Sequence, residues 1–265
     1  MLEQITCPAD LRRLSHDDLG LLSREIRNFI VETVQENGGH LGSNLGVVEL
    51  TIALHRVFDS PRDIMLWDTG HQAYVHKMLT GRLENFKSLR KAGGLSGYPS
   101  RAESEHDWIE NSHASTALSY AFGIATAQAS DEGEGRRVIA VIGDGALTGG
   151  MAFEGLNNLG HAGSNAIIIL NDNGRSYAPT VSLLSDSLKK LRNNPKYLEQ
   201  QEKLENKVKS LLPSKEVMGL SVERAIDAAK AAVREIWDPT SFFEDLGLRY
   251  NGPFDGHNIE ALEKA

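Results

Sequence analysis

The spacing of apolar residues changes character several times along the chain. Leu19, Leu22, Ile26, Phe29, Ile30, Thr33 and Val34 recur every three or four residues, which predicts an amphipathic helix over 16–36. It stops at "NGG", a helix-ending signal. "HLGSNLG" reads as a small-residue loop, and a second helical pattern runs from Val47 to Phe58. "IMLWD", 64–68, is a short apolar run closed by Asp68 and predicts a buried strand, with a further helix from "HQAYVHKML". Residues 93–106, "GGLSGYPSRAESEH", predict a long loop, and long loops inside a domain are often functional.

The Ala-rich "SHASTALSYAFGIATAQA" predicts a closely packed helix. "RVIAVI" (137–142) and "AIIIL" (166–170) are near-continuous aliphatic runs, the pattern of parallel strands buried on both faces. Between them Met151, Phe153, Leu156 and Leu159 predict a crossover helix. Strand, helix, strand is a βαβ unit. The expected class is α/β, a doubly wound, mainly parallel sheet flanked by helices. Residues 183–236 read as polar and helical, with an amphipathic segment through Val222, Ala225, Ile226, Ala229, Val233 and Ile236. The expected organisation is one domain over 1–265 carrying 183–236 as a helical insertion.

Composition narrows the function classes. Of 265 residues 40% are hydrophobic and 24% charged, an ordinary globular balance. A net charge of −8 without a long basic run argues against a non-specific nucleic-acid binder. Cys7 is the single cysteine, so an internal disulfide is excluded and a reducing compartment fits. No apolar run approaches the roughly 20 residues of a membrane helix. The first residues lack a signal-peptide core. The expected location is cytoplasmic.

"VIAVIGDGALTGG" places Asp144 just past a buried strand. Asn173, in "LNDNGRSY", lies just past the next strand, 29 residues later, about the span of a βαβ unit. Ligands of open parallel sheets bind at the carboxyl ends of the strands. A carboxylate and an amide oxygen there suit magnesium, which commonly bridges protein oxygens to substrate phosphates. Gly143 and Gly145 permit tight turning beside a diphosphate. The dinucleotide fingerprint fails at Thr148, and the P-loop lysine is absent. A zinc pattern and a serine-nucleophile elbow are also missing. His76 follows His71 by five residues, off its helical face, and is expected to be structural.

These segments carry a resemblance. "GDGALTGG…LNDNG" is similar to the thiamine-diphosphate motif. With "GGHLGSNLGVVELTIALHRVF", "WDTGHQAYVHKMLTGR", "GGLSGYPSRAESEHDWIENSHASTALSYAFGIA" and "NDNGRSYAPTV", the chain resembles the 1-deoxy-D-xylulose-5-phosphate synthase family from about residue 10 onward. Transketolase shares the metal motif and matches the other segments less well. The resemblance implies thiamine diphosphate and Mg2+ as cofactors. It implies a transferase that joins pyruvate to glyceraldehyde 3-phosphate with loss of CO2, and a homodimer. Asp144, Asn173 and the backbone carbonyl of Arg175 would hold the metal. Gly145, Ala146, His71, Ser112, His113 and Ala114, with Asn173, would contact the cofactor. His40 would face the reacting centre and Arg101 the substrate, while His257 reads as a turn residue.

Family members are about twice this long. The resemblance therefore implies that a further cofactor-touching strand and the pyrimidine-binding domain, with its carbanion-triggering glutamate, lie outside these residues. The chain alone is then expected to be incompetent, either as a fragment or as one subunit of a split enzyme. The other class left open is a non-catalytic module binding magnesium and diphosphate. "TVSLLSDSL" also departs from the family, which usually has glycine after "TV".

Overall fold

Proline at the first helical position opens α1 (Pro8–Leu11), and a reciprocal cap opens α2 (His16–Asn37). There the Asp18 amide donates to Ser15 Oγ while the Ser15 amide donates to Asp18 Oδ2, each at 3.2 Å. Two orphan amides of the first turn are satisfied in this way. In the computed structural model, residues 1–130, 135–173, 216–217, 220–221 and 242–265 are described. Contacts divide the chain into two units, Met1–Thr180 with Phe254–Ala265, and Val181–Pro253.

The first unit is built on a parallel sheet ordered β1 (Ile64–Trp67), β2 (Val138–Gly143), β3 (Ala166–Asn171). Ile64 pairs with Val138, and Val138 with Ala166, so the three strands start level and end at one edge. α3 (Leu41–Leu45), α4 (Val48–Val57) and α5 (Tyr74–Lys77) flank β1 in sequence, and α6 (Ala117–Ser130) leads to β2. After β2 come a single turn, α7 (Asp144–Leu147), and the crossover helix α8 (Gly150–His161).

Two apolar clusters use opposite faces of α4. Val48 and Ile52 pack with Leu19, Leu22, Ile26 and Ile30 of α2. Leu50 and Leu54 cover Met65 and Trp67 of β1 and Ile139 and Val141 of β2. α4 is buried on nearly every side, its polar Glu49, Thr51 and His55 included. α6 and α8 pack against each other, and α6 lies on the strands. Their crossing is close: a Cβ on Gly155 would stand 2.7 Å from Leu118 Cβ.

The strands, the long loop 93–106 and the crossover helix fall where the sequence predicts them. Three details differ. The "HLGSNLG" loop contains the single turn α3, closed by Asn44 Nδ2 donating to the His40 carbonyl at 2.6 Å. β3 is half-exposed along its whole length, whereas burial on both faces was expected. In the described sheet it pairs on one side only, with β2. The amphipathic segment 222–236 lies outside the described residues. Within 183–236 the described positions form an antiparallel bridge instead of helix, β4 (Glu216–Val217) with β5 (Leu220–Ser221).

In the second unit, α9 (Phe242–Asp245) sets Phe243 against Tyr250, rings stacked at 5.6 Å. In the first unit, α10 (Ile259–Lys264) is capped by the Asn258 side chain and packs on α4.

Candidate functional site

Asp68 follows the last residue of β1 and is 1% exposed. Its carboxylate accepts the amides of Ser115 at 2.9 Å and Ala117 at 3.0 Å. The segment 112–117 is thereby tied to the tip of β1. Ser115 Oγ donates to the Ala146 carbonyl at 2.5 Å, which joins that segment to the turn after β2. Asn171 Nδ2, at the end of β3, donates to Gln72 Oε1 at 3.3 Å. One edge of the sheet therefore gathers the loops after β1, β2 and β3. It is the carboxyl edge, where parallel sheets bind ligands.

At this edge Asp144 is buried, and Gly145 and Ala146 are half-buried in the first turn of α7. Gly143 pairs with Asn171, so Asp144 and Asn173 leave neighbouring parallel strands at the same end. Asn173 is exposed, and Arg175 lies outside the described residues. Among the described residues no group of three His, Cys, Asp or Glu is gathered to hold a metal. The strand tips carry the carboxylates of Asp144 and Asp172, with amide and carbonyl oxygens, beside an Asp68 whose carboxylate accepts two backbone amides. That set suits a hard cation that keeps several waters.

His40 and His71 meet edge to face, ring centroids 5.2 Å apart. Three groups set this approach. Asn44, fully buried, donates to the carbonyls of His40 and of His71, the latter at 2.8 Å. Its Oδ1 accepts the Tyr74 amide at 2.9 Å. Tyr74 Oη accepts the His40 amide at 3.3 Å. Gly39 has φ +135° and faces Tyr74 Oη, which would stand 2.7 Å from any Cβ added there.

Burial lowers the pKa of both imidazoles. Arg90 adds to the effect at His40; at His71 the His40 ring adds to it and Asp68 opposes it. Both rings are thus biased to the neutral form near pH 7, the form able to accept a proton. His71 Nδ1 and Gln72 Nε2 are buried and have no protein partner. Unpaired buried polar atoms at such an edge fit a polar ligand.

Ser112, His113 and Ala114 are exposed, and His113 Nδ1 lies 3.1 Å from Asn111 Oδ1. Arg101 is exposed too; its amide donates to Glu110 Oε1 at 2.6 Å, and no described contact links it to the strand tips. His257 Nδ1 lies 3.1 Å from Glu49 Oε2, which also receives Arg27. Asp68, Asn44 and Gln72 were missed as site-building residues. A usable signal existed only for Asp68, a carboxylate closing an apolar strand run.

His76 belongs to a separate buried network. Its Nδ1 lies 2.9 Å from His55 Nε2 and its Nε2 lies 2.9 Å from Asp107 Oδ1. Asp107 also pairs with Arg82, while Lys77 pairs with Glu103. Burial alone would raise Asp107, but the hydrogen bonds from His76 and Arg82 outweigh it and hold the carboxyl well below its usual range.

The family profile of 1-deoxy-D-xylulose-5-phosphate synthase matches residues 2–265. Proteins of that name from Frankia casuarinae and Mycobacterium leprae are 54% and 56% identical over the whole chain. The chain spans 40% and 41% of their lengths. With the family profile covering nearly every residue, the chain belongs to the 1-deoxy-D-xylulose-5-phosphate synthase family.

Proposed function

We propose that these residues form the diphosphate-binding part of a thiamine-diphosphate-dependent transferase, with Mg2+ as its metal. The enzyme would condense pyruvate with D-glyceraldehyde 3-phosphate, with loss of CO2, to 1-deoxy-D-xylulose 5-phosphate, a precursor of isoprenoids, thiamine and pyridoxal. The observation that carries the reading is the register of β2 and β3. Gly143 pairs with Asn171, so the chain runs into Asp144 and toward Asn173 from neighbouring parallel strands at the same end of the sheet.

Asp144, Asn173 and the Arg175 carbonyl would hold the ion, and the ion the diphosphate. Gly145, Ala146 and the 112–114 segment would line the cofactor. Thiamine diphosphate, when bound, would supply the nucleophilic carbon chemistry, and the protein would supply position and electrostatics. His40 and His71, kept neutral by burial, accept and return protons at their ring nitrogens. Arg101 would meet the acceptor phosphate. A pyrimidine-binding domain, in the same chain or another, would complete the site, as a homodimer. Residues 1–265 assayed by themselves would not turn over.

Calorimetric titration tests this. Thiamine diphosphate should bind the wild-type chain only with Mg2+, and Asp144→Asn should abolish that magnesium-dependent binding while the fold persists. Magnesium-independent binding, or equal binding by the variant, would overturn the reading. Binding without turnover after supplying the remaining domains would favour a non-catalytic module. Turnover of ketose donors in place of pyruvate would favour a split transketolase-type subunit.

A further inference from the structure

The His40–His71 pair is assembled from two loops distant in sequence, and one side chain spans them. We propose that Asn44 is the positioning residue of this pair: its buried carboxamide fixes the separation of the 38–40 and 70–72 loops, so that both imidazoles face one cofactor. The inference rests on the reading of His40 and His71 as site residues.

The chemistry of a carboxamide explains why asparagine stands there. It offers two N–H donors on one side and an acceptor on the other. Both donors are used, one on each histidine's backbone carbonyl, at 2.6 and 2.8 Å. The acceptor takes the Tyr74 amide at 2.9 Å, at the start of α5. Asn44 has no exposed surface, so its three bonds are made away from bulk water. An aspartate of the same shape would face two carbonyl oxygens with at most one proton. A serine has a single donor and a shorter reach. Each would release at least one loop, and a residue that touches neither ring would thereby change their mutual approach.

Histidine NMR on this chain reads the effect without any cofactor. In the wild type the Asn44 carboxamide protons should exchange slowly and show Overhauser contacts to residues 40 and 71. Fast exchange or absent contacts would overturn the proposal. His40→Gln in the otherwise unaltered chain should raise the His71 titration midpoint by about half a pH unit, the size expected for unit charges about 5 Å apart in water. Asp68 and Arg90 also act on these rings and are present in every variant compared. In Asn44→Ser, and in Asn44→Ala, the same His40→Gln substitution should no longer move His71.

Persistence of the shift in a folded Asn44 variant would show that the rings hold their places without it, and would overturn the proposal. Unfolding of both variants would also overturn it, since Asn44 would then belong to the general core. Adding thiamine diphosphate with Mg2+ to the wild type tests the underlying reading separately. An unmoved His71 signal would sink that reading and leave the Asn44 result intact.

Discussion

His71 and His76 lie five residues apart in "GHQAYVH", yet they enter opposite environments. His76 is fully buried and stacks on His55 with centroids 5.1 Å apart, its two nitrogens spent on His55 and Asp107. His71 is half-exposed, meets His40 edge to face and keeps a buried Nδ1 without a protein partner. In the first pair the tautomers are dictated by the carboxylate. His76 Nε2–H donates to Asp107, so Nδ1 must accept from His55 Nε2–H. That leaves His55 Nδ1 bare in a sealed interior, where adding a proton is costly. A histidine enclosed with an ion network holds structure. One with an unspent nitrogen at a sheet edge keeps a hydrogen-bonding atom that the fold does not use.

The largest test of this contrast is Asp107→Ala. It strips a partner from both His76 and Arg82, leaving the buried guanidinium only the more distant Glu103 carboxylate at 3.7 Å. Breaking such a pair costs about 3–5 kcal/mol, so urea unfolding should show a loss of that size. His71→Gln should cost less than about 1 kcal/mol. Equal losses would erase the distinction between the two pairs.

Acid should act mainly on the sealed region. Burial lowers the enclosed His55 and His76 and also the half-buried His106, the last to about 4. The unfolded chain binds these protons from about pH 6.5 downward, while the folded chain does not. Stability is therefore full above about pH 6.5 and falls as pH drops toward 4. Asp107 behaves with the same sign at lower pH, because its folded pKa is depressed. Its contribution is full above about pH 4 and is lost as acid titrates it toward its folded value. Melting temperature should fall less steeply between pH 6.5 and 4 in His106→Gln than in the wild type. An unchanged slope would remove His106 from the account.

At the open pair the effect moves from stability to binding. His71→Gln should weaken magnesium-dependent thiamine-diphosphate binding about tenfold, the worth of one hydrogen bond of roughly 1.4 kcal/mol. His76→Gln should lower stability and leave the affinity of the folded fraction unchanged. The reverse pattern would exchange the roles of the two residues.

The sheet and its ligand edge were legible because strand and helix periods are local properties of the chain. Asp144 and Asn173 could be placed at neighbouring strand ends from two apolar runs and the distance between them. Asn44 could not be read this way: its partners are backbone groups of His40, His71 and Tyr74, which have no sequence signature. Asp68 works likewise through the amides of Ser115 and Ala117. The partial exposure of β3 was illegible for another reason. "AIIIL" is as apolar as a central strand, and the position of a strand in its sheet is a property of the whole fold. The His55–Asp107 network was hidden too, its members drawn from α4, α5 and the loop before α6.

The smallest expected effect on stability is at Arg101. Its amide is pinned by Glu110, but its guanidinium is exposed in the loop that Asp107 anchors through the Ser100 amide at 2.7 Å. The loop therefore carries a held backbone and a side chain that the fold does not use. Surface substitutions of this kind stay within about ±0.5 kcal/mol, so Arg101→Ala should unfold with the wild type in urea. If Arg101 meets the acceptor phosphate in the complete enzyme, the same variant should raise KM for glyceraldehyde 3-phosphate and leave KM for pyruvate unchanged. Asp107→Asn, which disturbs the loop's anchor, should raise the same KM while also lowering stability. A wild-type KM in Arg101→Ala would assign the residue to solvent and confine the site to the strand tips and the histidine pair.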